Sequence, residues 1–133
     1  MTGKKTILLA DDNAEIRRLF ALSLGKSGYD TVEAATGCEA VEKARANLPD
    51  LIVMDLAMPE GTGDEAIISL KADPVTRDIP VIVVTALLGG PLVDRAIAAG
   101  ANEILHKPVN FKWLELVLQR HLSLKKKMDH VVH

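Results

Sequence analysis

The chain has 133 residues, 48% hydrophobic and 26% charged, with a formal net charge of -2 and a sequence pI near 6.1. That is one domain's length, and its mild acidity offers no general attraction to nucleic acid or to an anionic membrane surface. No apolar stretch approaches the ~20 residues of a transmembrane helix, the single Cys38 excludes an internal disulfide, and Met1-Thr2-Gly3-Lys4-Lys5 does not lead into a signal-peptide core; a soluble cytoplasmic protein is expected.

Thr6 to Ala10 reads as a strand ending on Asp11 and Asp12. Asn13 to Lys26 has helical period, with Ile16, Leu19, Phe20, Leu22 and Leu24 predicting a broad buried face and Gly28 the stop. Asp12 stands three residues before Glu15, the spacing of an N-terminal cap. Thr31 to Ala34 is a short second strand, and Thr36-Gly37-Cys38-Glu39 matches a capping box opening a helix to about Asn47, ahead of Pro49. Asp50 to Asp55 is nearly continuously apolar before its terminal acid, which predicts a strand buried on both faces. A loop with Pro59, Gly61 and Gly63 precedes a helix from Asp64 to Ala72, and the turn-rich Asp73 to Asp78 leads to a strand from Ile79 to Val84, followed by Thr85. Gly89-Gly90-Pro91 introduces a helix ending near Gly100. Asn102 to Leu105 makes the fifth strand, Lys107 follows it, and Phe111 to about Ser123 makes a last amphipathic helix. Lys125-Lys126-Lys127 reads as a solvated helix end, where lysines suit the carbonyl pole.

This strict alternation predicts one α/β domain, a doubly wound five-stranded parallel sheet with five helices on its two faces. Sites in such sheets lie at the carboxyl ends of the strands. Asp11, Asp12, Asp55, Thr85 and Lys107 would therefore share one crevice. Three carboxylates together require a neutralising cation, and Mg²⁺ accepts a few oxygen ligands while retaining water. A carboxylate can attack phosphorus, with a hydroxyl and an ammonium pairing the phosphoryl oxygens. Residue types alone leave a second reading open, in which the acids cap helices and Lys107 is a surface charge.

Order and spacing add to this. The acidic pair in Ile7-Leu8-Leu9-Ala10-Asp11-Asp12-Asn13, the segment Asp50 to Pro59, Gly63, Ile79 to Ala86, Gly100-Ala101-Asn102 and Lys107-Pro108 together resemble the CheY-like receiver domain of bacterial response regulators, over about Lys5 to Leu122. The resemblance implies a flavodoxin-like (βα)5 fold with strand order 2-1-3-4-5. It implies that Asp55 accepts a phosphoryl group from a histidine kinase or histidine phosphotransfer protein, the chain catalysing the transfer onto itself. Mg²⁺ would be held by Asp12, Asp55 and the Ala57 carbonyl, with Asp11 acting through water. Thr85 would move toward the phosphoryl group, Ala86 would leave space and contribute an N–H, and Lys107 would complete the charge balance before a cis Lys107–Pro108 bond.

Three positions depart from the family pattern. Ile104 stands where many members carry Tyr or Phe, which removes an aromatic rotamer switch and leaves aliphatic repacking to couple Thr85 to the far surface. Ala57 and Leu87 occupy the two positions that tune acyl-phosphate lifetime, and neither side chain can orient a water. Slow hydrolysis is expected.

The remaining candidates each have a plain reading. Leu87 and Leu88 form either a docking surface beside the site or one packed and one exposed leucine. Phe111 is expected in the core, and Trp113 fits core or interface equally. Cys38 is expected as a small packed residue in a first helical turn. His106 adjoins Lys107 and could modulate the site, whereas His121, His130 and His133 lack a convincing metal partner set. The expected protein is a stand-alone receiver of residues 1–123 with a short tail, 124–133, and no output domain. It would be a monomer or weak dimer, binding a downstream protein when phosphorylated and neither nucleic acid nor membrane. A receiver module of a larger regulator or hybrid kinase is the alternative. An aspartate-nucleophile phosphatase of the haloacid dehalogenase type is disfavoured because Ala57 stands where its second acid would be.

Overall fold

The computed structural model describes residues 3–132, with side chains through Ser123; Lys125, Lys126, Lys127, His130 and His133 lie outside the described side chains. In chain order the elements are β1 (Thr6–Ala10), α1 (Ala14–Lys26), β2 (Asp30–Ala34), α2 (Gly37–Asn47), β3 (Leu51–Met54), α3 (Gly63–Ala72), β4 (Val81–Thr85), α4 (Pro91–Ala99), β5 (Glu103–His106) and α5 (Phe111–Val132). All strands are parallel, in the order β2-β1-β3-β4-β5. Among the described residues no helix is long and apolar enough to cross a membrane.

The near-continuous apolar runs become the three central strands because each must feed two cores. Successive side chains alternate between faces. Leu8, Ile52, Met54, Val81 and Val83 pack with Ala40, Ala44, Ile67, Leu70, Val93 and Ala96 of α2, α3 and α4. Their neighbours Ile7, Leu51, Val53, Ile82 and Val84 pack with Leu24, Leu114, Val117 and Leu118 of α1 and α5. Each fully buried aliphatic side chain contributes roughly 1.5–3 kcal/mol.

The α1 face is narrower than expected. Leu24 is buried and Ile16 and Phe20 are half-buried, whereas Leu19 and Leu22 are 62% and 66% exposed. Residues 16, 20 and 24 form an i, i+4, i+8 stripe on the inward face, and Leu19 and Leu22 both lie beyond the same edge of that face. The helix is capped by Asn13 and not by Asp12: Asn13 Oδ1 accepts the Glu15 and Ile16 amides at 3.0 and 3.2 Å. Asp12 is left exposed. Gly28, at φ +96, ends the helix as predicted, in the left-handed region glycine tolerates. The last helix runs beyond Ser123 to Val132. Cys38 is exposed and not packed.

Asp64, in the first turn of α3, is 2% exposed, with Oδ2 accepting from Arg95 Nε of α4 at 3.1 Å and Oδ1 without a partner among the described residues. It is not needed as a cap, because the Thr62 amide and hydroxyl already donate to Glu65. Removing one partner of a buried pair leaves the other charge uncompensated, and here only Asp64 is buried. Arg95→Ala is therefore expected to destabilise by about 1–3 kcal/mol, whereas Asp64→Leu should be neutral or stabilising, since Arg95 is 59% exposed and can be solvated. Urea unfolding of both variants reads this asymmetry; equal losses would contradict it.

Candidate functional site

The site is assembled where β1, β3, β4 and β5 end. Asp11 is one residue past β1; its amide donates to the Ala34 carbonyl at 3.1 Å and its Oδ1 accepts the Asn13 amide at 2.9 Å. Asp55 is one residue past β3, its amide on the Ala10 carbonyl at 2.9 Å and its Oδ1 accepting the Leu56 amide at 2.7 Å. Asp11 and Asp55 are both buried, each 8% exposed as a whole residue, and Asp12 is open to solvent. Carboxylate oxygens of Asp11, Asp12 and Asp55 lie within 4.8 Å of one another. An all-oxygen, triply acidic set of this size suits a hard divalent cation better than a soft one.

Lys107 supplies the opposite charge. Its Nζ donates to Asp11 Oδ2 and to Asp55 Oδ2, each at 2.9 Å. Burial alone lowers the Lys107 pKa, but the hydrogen bonds to Asp11 and Asp55 outweigh it and hold the ammonium above its ordinary value of 10.5. The Lys107 amide donates to the Thr85 carbonyl at 2.8 Å, fixing the ends of β4 and β5 to each other, and the Lys107–Pro108 bond is cis.

Thr85 is fully buried, and its Oγ1 accepts the Leu87 amide at 3.2 Å. Ala86 and Ala57 are exposed on the loops flanking Asp55. The loop after β3 is held by Leu56, whose carbonyl accepts the Met58 and Gly63 amides at 3.1 and 2.9 Å, and by α2, whose Gly37 and Cys38 amides donate to the Gly61 and Glu60 carbonyls at 2.9 and 3.1 Å. Four of the expected residues, Asp11, Asp12, Asp55 and Lys107, are thus brought into one cluster, with Thr85 buried at the end of β4 and Ala57 and Ala86 exposed in the loops after β3 and β4.

Ile104 is half-buried beside the core that also receives Leu87. Leu88 is 85% exposed, so the pair divides into one packed and one exposed leucine. His106 is exposed, with Nδ1 3.0 Å from the Leu87 carbonyl, to which a proton on that nitrogen would donate. Phe111 is half-buried and stacks on Phe20 at 6.4 Å between ring centroids, whereas Trp113 is 52% exposed. His121 pairs with Glu103 at 3.0 Å. One residue at the site escaped the sequence reading. Arg17 reaches from α1 to the Asp11 carbonyl, and the available signal was a charged residue beside Ile16 and Phe20 on the inward side of an otherwise amphipathic helix.

Residues 7–119 match the family model of the response regulator receiver domain. The chain is 37% identical over 106 residues to the polar-differentiation response regulator DivK of Brucella ovis, covering 80% of this chain and 86% of that protein. It is 34% identical over 134 residues to Histidine kinase P4 of Formosa agariphila, covering 98% of this chain and spanning 10% of that protein. Among solved structures, a CheY-like receiver domain protein from Methanospirillum hungatei JF-1 superimposes with a TM-score of 0.89 at 25% identity, over 95% of this chain and 99% of that one. The receiver domain of sensor histidine kinase PA1611 from Pseudomonas aeruginosa PAO1, with magnesium coordinated in its active site cleft, superimposes with a TM-score of 0.85 at 30% identity, over 91% and 99%.

Proposed function

Because the chain belongs to the response regulator receiver domain family, we propose that Asp55 is its phosphoryl acceptor in two-component signalling, loaded by a histidine kinase or histidine phosphotransfer protein and read by a downstream protein. The observation that carries this is the Lys107 ammonium at 2.9 Å from both Asp11 and Asp55, within a triad of carboxylates at the carboxyl edge of the sheet. A surface lysine or a set of helix caps has no reason to converge in this way. Phosphotransfer from such donors places its action in the cytoplasm.

In the proposed step, a carboxylate oxygen of Asp55 attacks the phosphorus of the donor phosphohistidine. The P–N bond breaks and leaves its electron pair on that nitrogen, the ring departs as neutral imidazole because its other nitrogen carries a proton, and an acyl phosphate forms on Asp55. Asp12, Asp55 and the Ala57 carbonyl would hold Mg²⁺, with Asp11 acting through water. The bound cation supplies charge neutralisation for the incoming phosphoryl oxygens. Lys107 exchanges part of its bond to Asp55 for a phosphoryl oxygen. Thr85 gives up the Leu87 amide to reach another, and small Ala86 leaves room for it. Because Leu87 and Ile104 pack against the same core, release of the Leu87 amide propagates as aliphatic repacking. The signal is a population shift between two conformers.

Incubation with Mg²⁺ and a small-molecule phosphodonor, read by intact mass, tests the proposal. The wild type is expected to gain one phosphoryl group and Asp55→Asn none. Ala57 and Leu87 place no polar side chain where a water would be oriented, so the acyl phosphate is expected to persist for many minutes to hours. Decay within seconds would refute the slow-hydrolysis reading, and rapid multiple turnover of phosphate monoesters would replace the receiver reading with a phosphatase. The two relatives present such a domain as most of a response regulator and as a tenth of a kinase. The reading frame surrounding these residues distinguishes those arrangements.

A further inference from the structure

Arg17 is a charged residue on the buried side of α1. Its side chain is 14% exposed, and arginine is seldom that enclosed unless it is paired. Nη1 donates to the Asp11 main-chain carbonyl at 2.6 Å, and Nε donates to Glu33 Oε1 at 2.8 Å. Glu33 is itself fixed, since it lies in β2 and its carbonyl accepts Lys43 Nζ at 2.6 Å. The Asp11 peptide is therefore gripped on two sides: its amide by Ala34 at the end of β2, and its carbonyl by the guanidinium. The segment it fixes, Asp11-Asp12-Asn13, belongs to neither strand nor helix, yet it carries two of the three clustered carboxylates.

We propose that Arg17 is a positioning residue for divalent-cation binding, a strut from α1 and β2 that holds the strand–helix junction so that Asp11 and Asp12 present their carboxylates together. The inference rests on the receiver reading above. Two physical effects of Arg17 on a cation oppose each other. Its positive charge beside the acid cluster repels the cation, whereas its grip on the Asp11 carbonyl preorganises the ligands. The Arg17 charge is already matched by Glu33, so its net field at the acids is small and preorganisation dominates. Partners of metal ligands that orient them without touching the metal are typically worth 10–100-fold in affinity.

The opposed effects make the test decisive. Titration calorimetry with Mg²⁺ alone is run on the full chain for wild type, Arg17→Met and Arg17→Lys, with circular dichroism establishing that each is folded. Positioning predicts that both variants lose roughly 10-fold in Mg²⁺ affinity, because lysine keeps the charge but lacks the planar fork that serves two acceptors at once. Phosphoryl labelling is expected to need correspondingly more Mg²⁺, and a labelling loss that does not respond to added Mg²⁺ overturns the proposal. Unchanged or tighter Mg²⁺ binding in folded Arg17→Met overturns the proposal, as does full retention of affinity in Arg17→Lys. Should Arg17→Met fail to fold, Arg17→Lys decides alone. If the wild type binds Mg²⁺ but gains no phosphoryl group, the receiver reading fails while the Arg17 comparison still stands.

Discussion

Gly63→Ala is expected to lower both stability and phosphoryl labelling severely. A Cβ at Gly63 would collide with the Asp55 carbonyl oxygen and come within 2.8 Å of Leu56 Cα, and both are backbone, which cannot swing aside as a flexible side chain could. The strain falls where the site is least tolerant of it. Gly63 donates its amide to the Leu56 carbonyl at 2.9 Å, closing the loop that carries Ala57, and Asp55 is the residue at the other side of the collision. Relief requires the loop or the start of α3 to move outward, at an overpacking cost of about 2–3 kcal/mol. A displacement near 1 Å at reacting groups costs roughly 10²-fold in rate. Urea unfolding and the initial rate of labelling measure the two losses. Gly89→Ala is the control, because an added Cβ there meets nothing within 4 Å. Near-wild-type labelling in Gly63→Ala would mean that the acceptor loop does not need its present path.

Most of this architecture was legible because a parallel sheet ties topology to chemistry. Once the runs ending at Ala10, Met54, Val84 and Leu105 are read as parallel strands, their carboxyl ends must meet, so Asp11, Asp12, Asp55 and Lys107 could be brought together without any contact being known. What stayed hidden depends on contacts between segments far apart in sequence, or on the width of a helix face. Apolar identity alone marked Leu19 and Leu22 as buried, but α1 packs through the face that carries Ile16, Phe20 and Leu24 and turns both outward. The choice of Asn13 over Asp12 as the cap depends on local backbone path, since Asn13 has its extended conformation at φ −84 and ψ 106. Arg17 showed in the sequence only as a charge on the inward side of α1, and its role stayed hidden for a similar reason. Its partners are a main-chain carbonyl and Glu33, sixteen residues away, and neither follows from spacing.

Lys107→Met is expected to separate three properties that the wild type combines. Methionine has similar reach but no charge, so Asp11 and Asp55, with side chains only 12% and 9% exposed, would face each other and Asp12 without an ammonium between them. Without a divalent cation the variant should lose about 2–4 kcal/mol, somewhat less than is usual for breaking a fully buried pair, because the cluster opens to solvent at Asp12. The sign of the pH dependence follows from the raised pKa of Lys107. Stabilisation by a cation whose folded pKa exceeds its unfolded value is complete below the unfolded value, 10.5, and is lost as pH rises through the folded one. The stability gap between wild type and variant should therefore hold from neutral pH to about 10 and close above that. Mg²⁺ is expected to bind the variant several-fold more tightly than the wild type, since no ammonium occupies the carboxylate oxygens, and to restore its stability by mass action. Labelling nevertheless should fall roughly 10²-fold, the typical loss for removing a preorganised charge that meets developing negative charge. Calorimetry, unfolding and intact mass read the three separately. Tighter Mg²⁺ binding with undiminished labelling would assign Lys107 to charge balance in the resting protein alone.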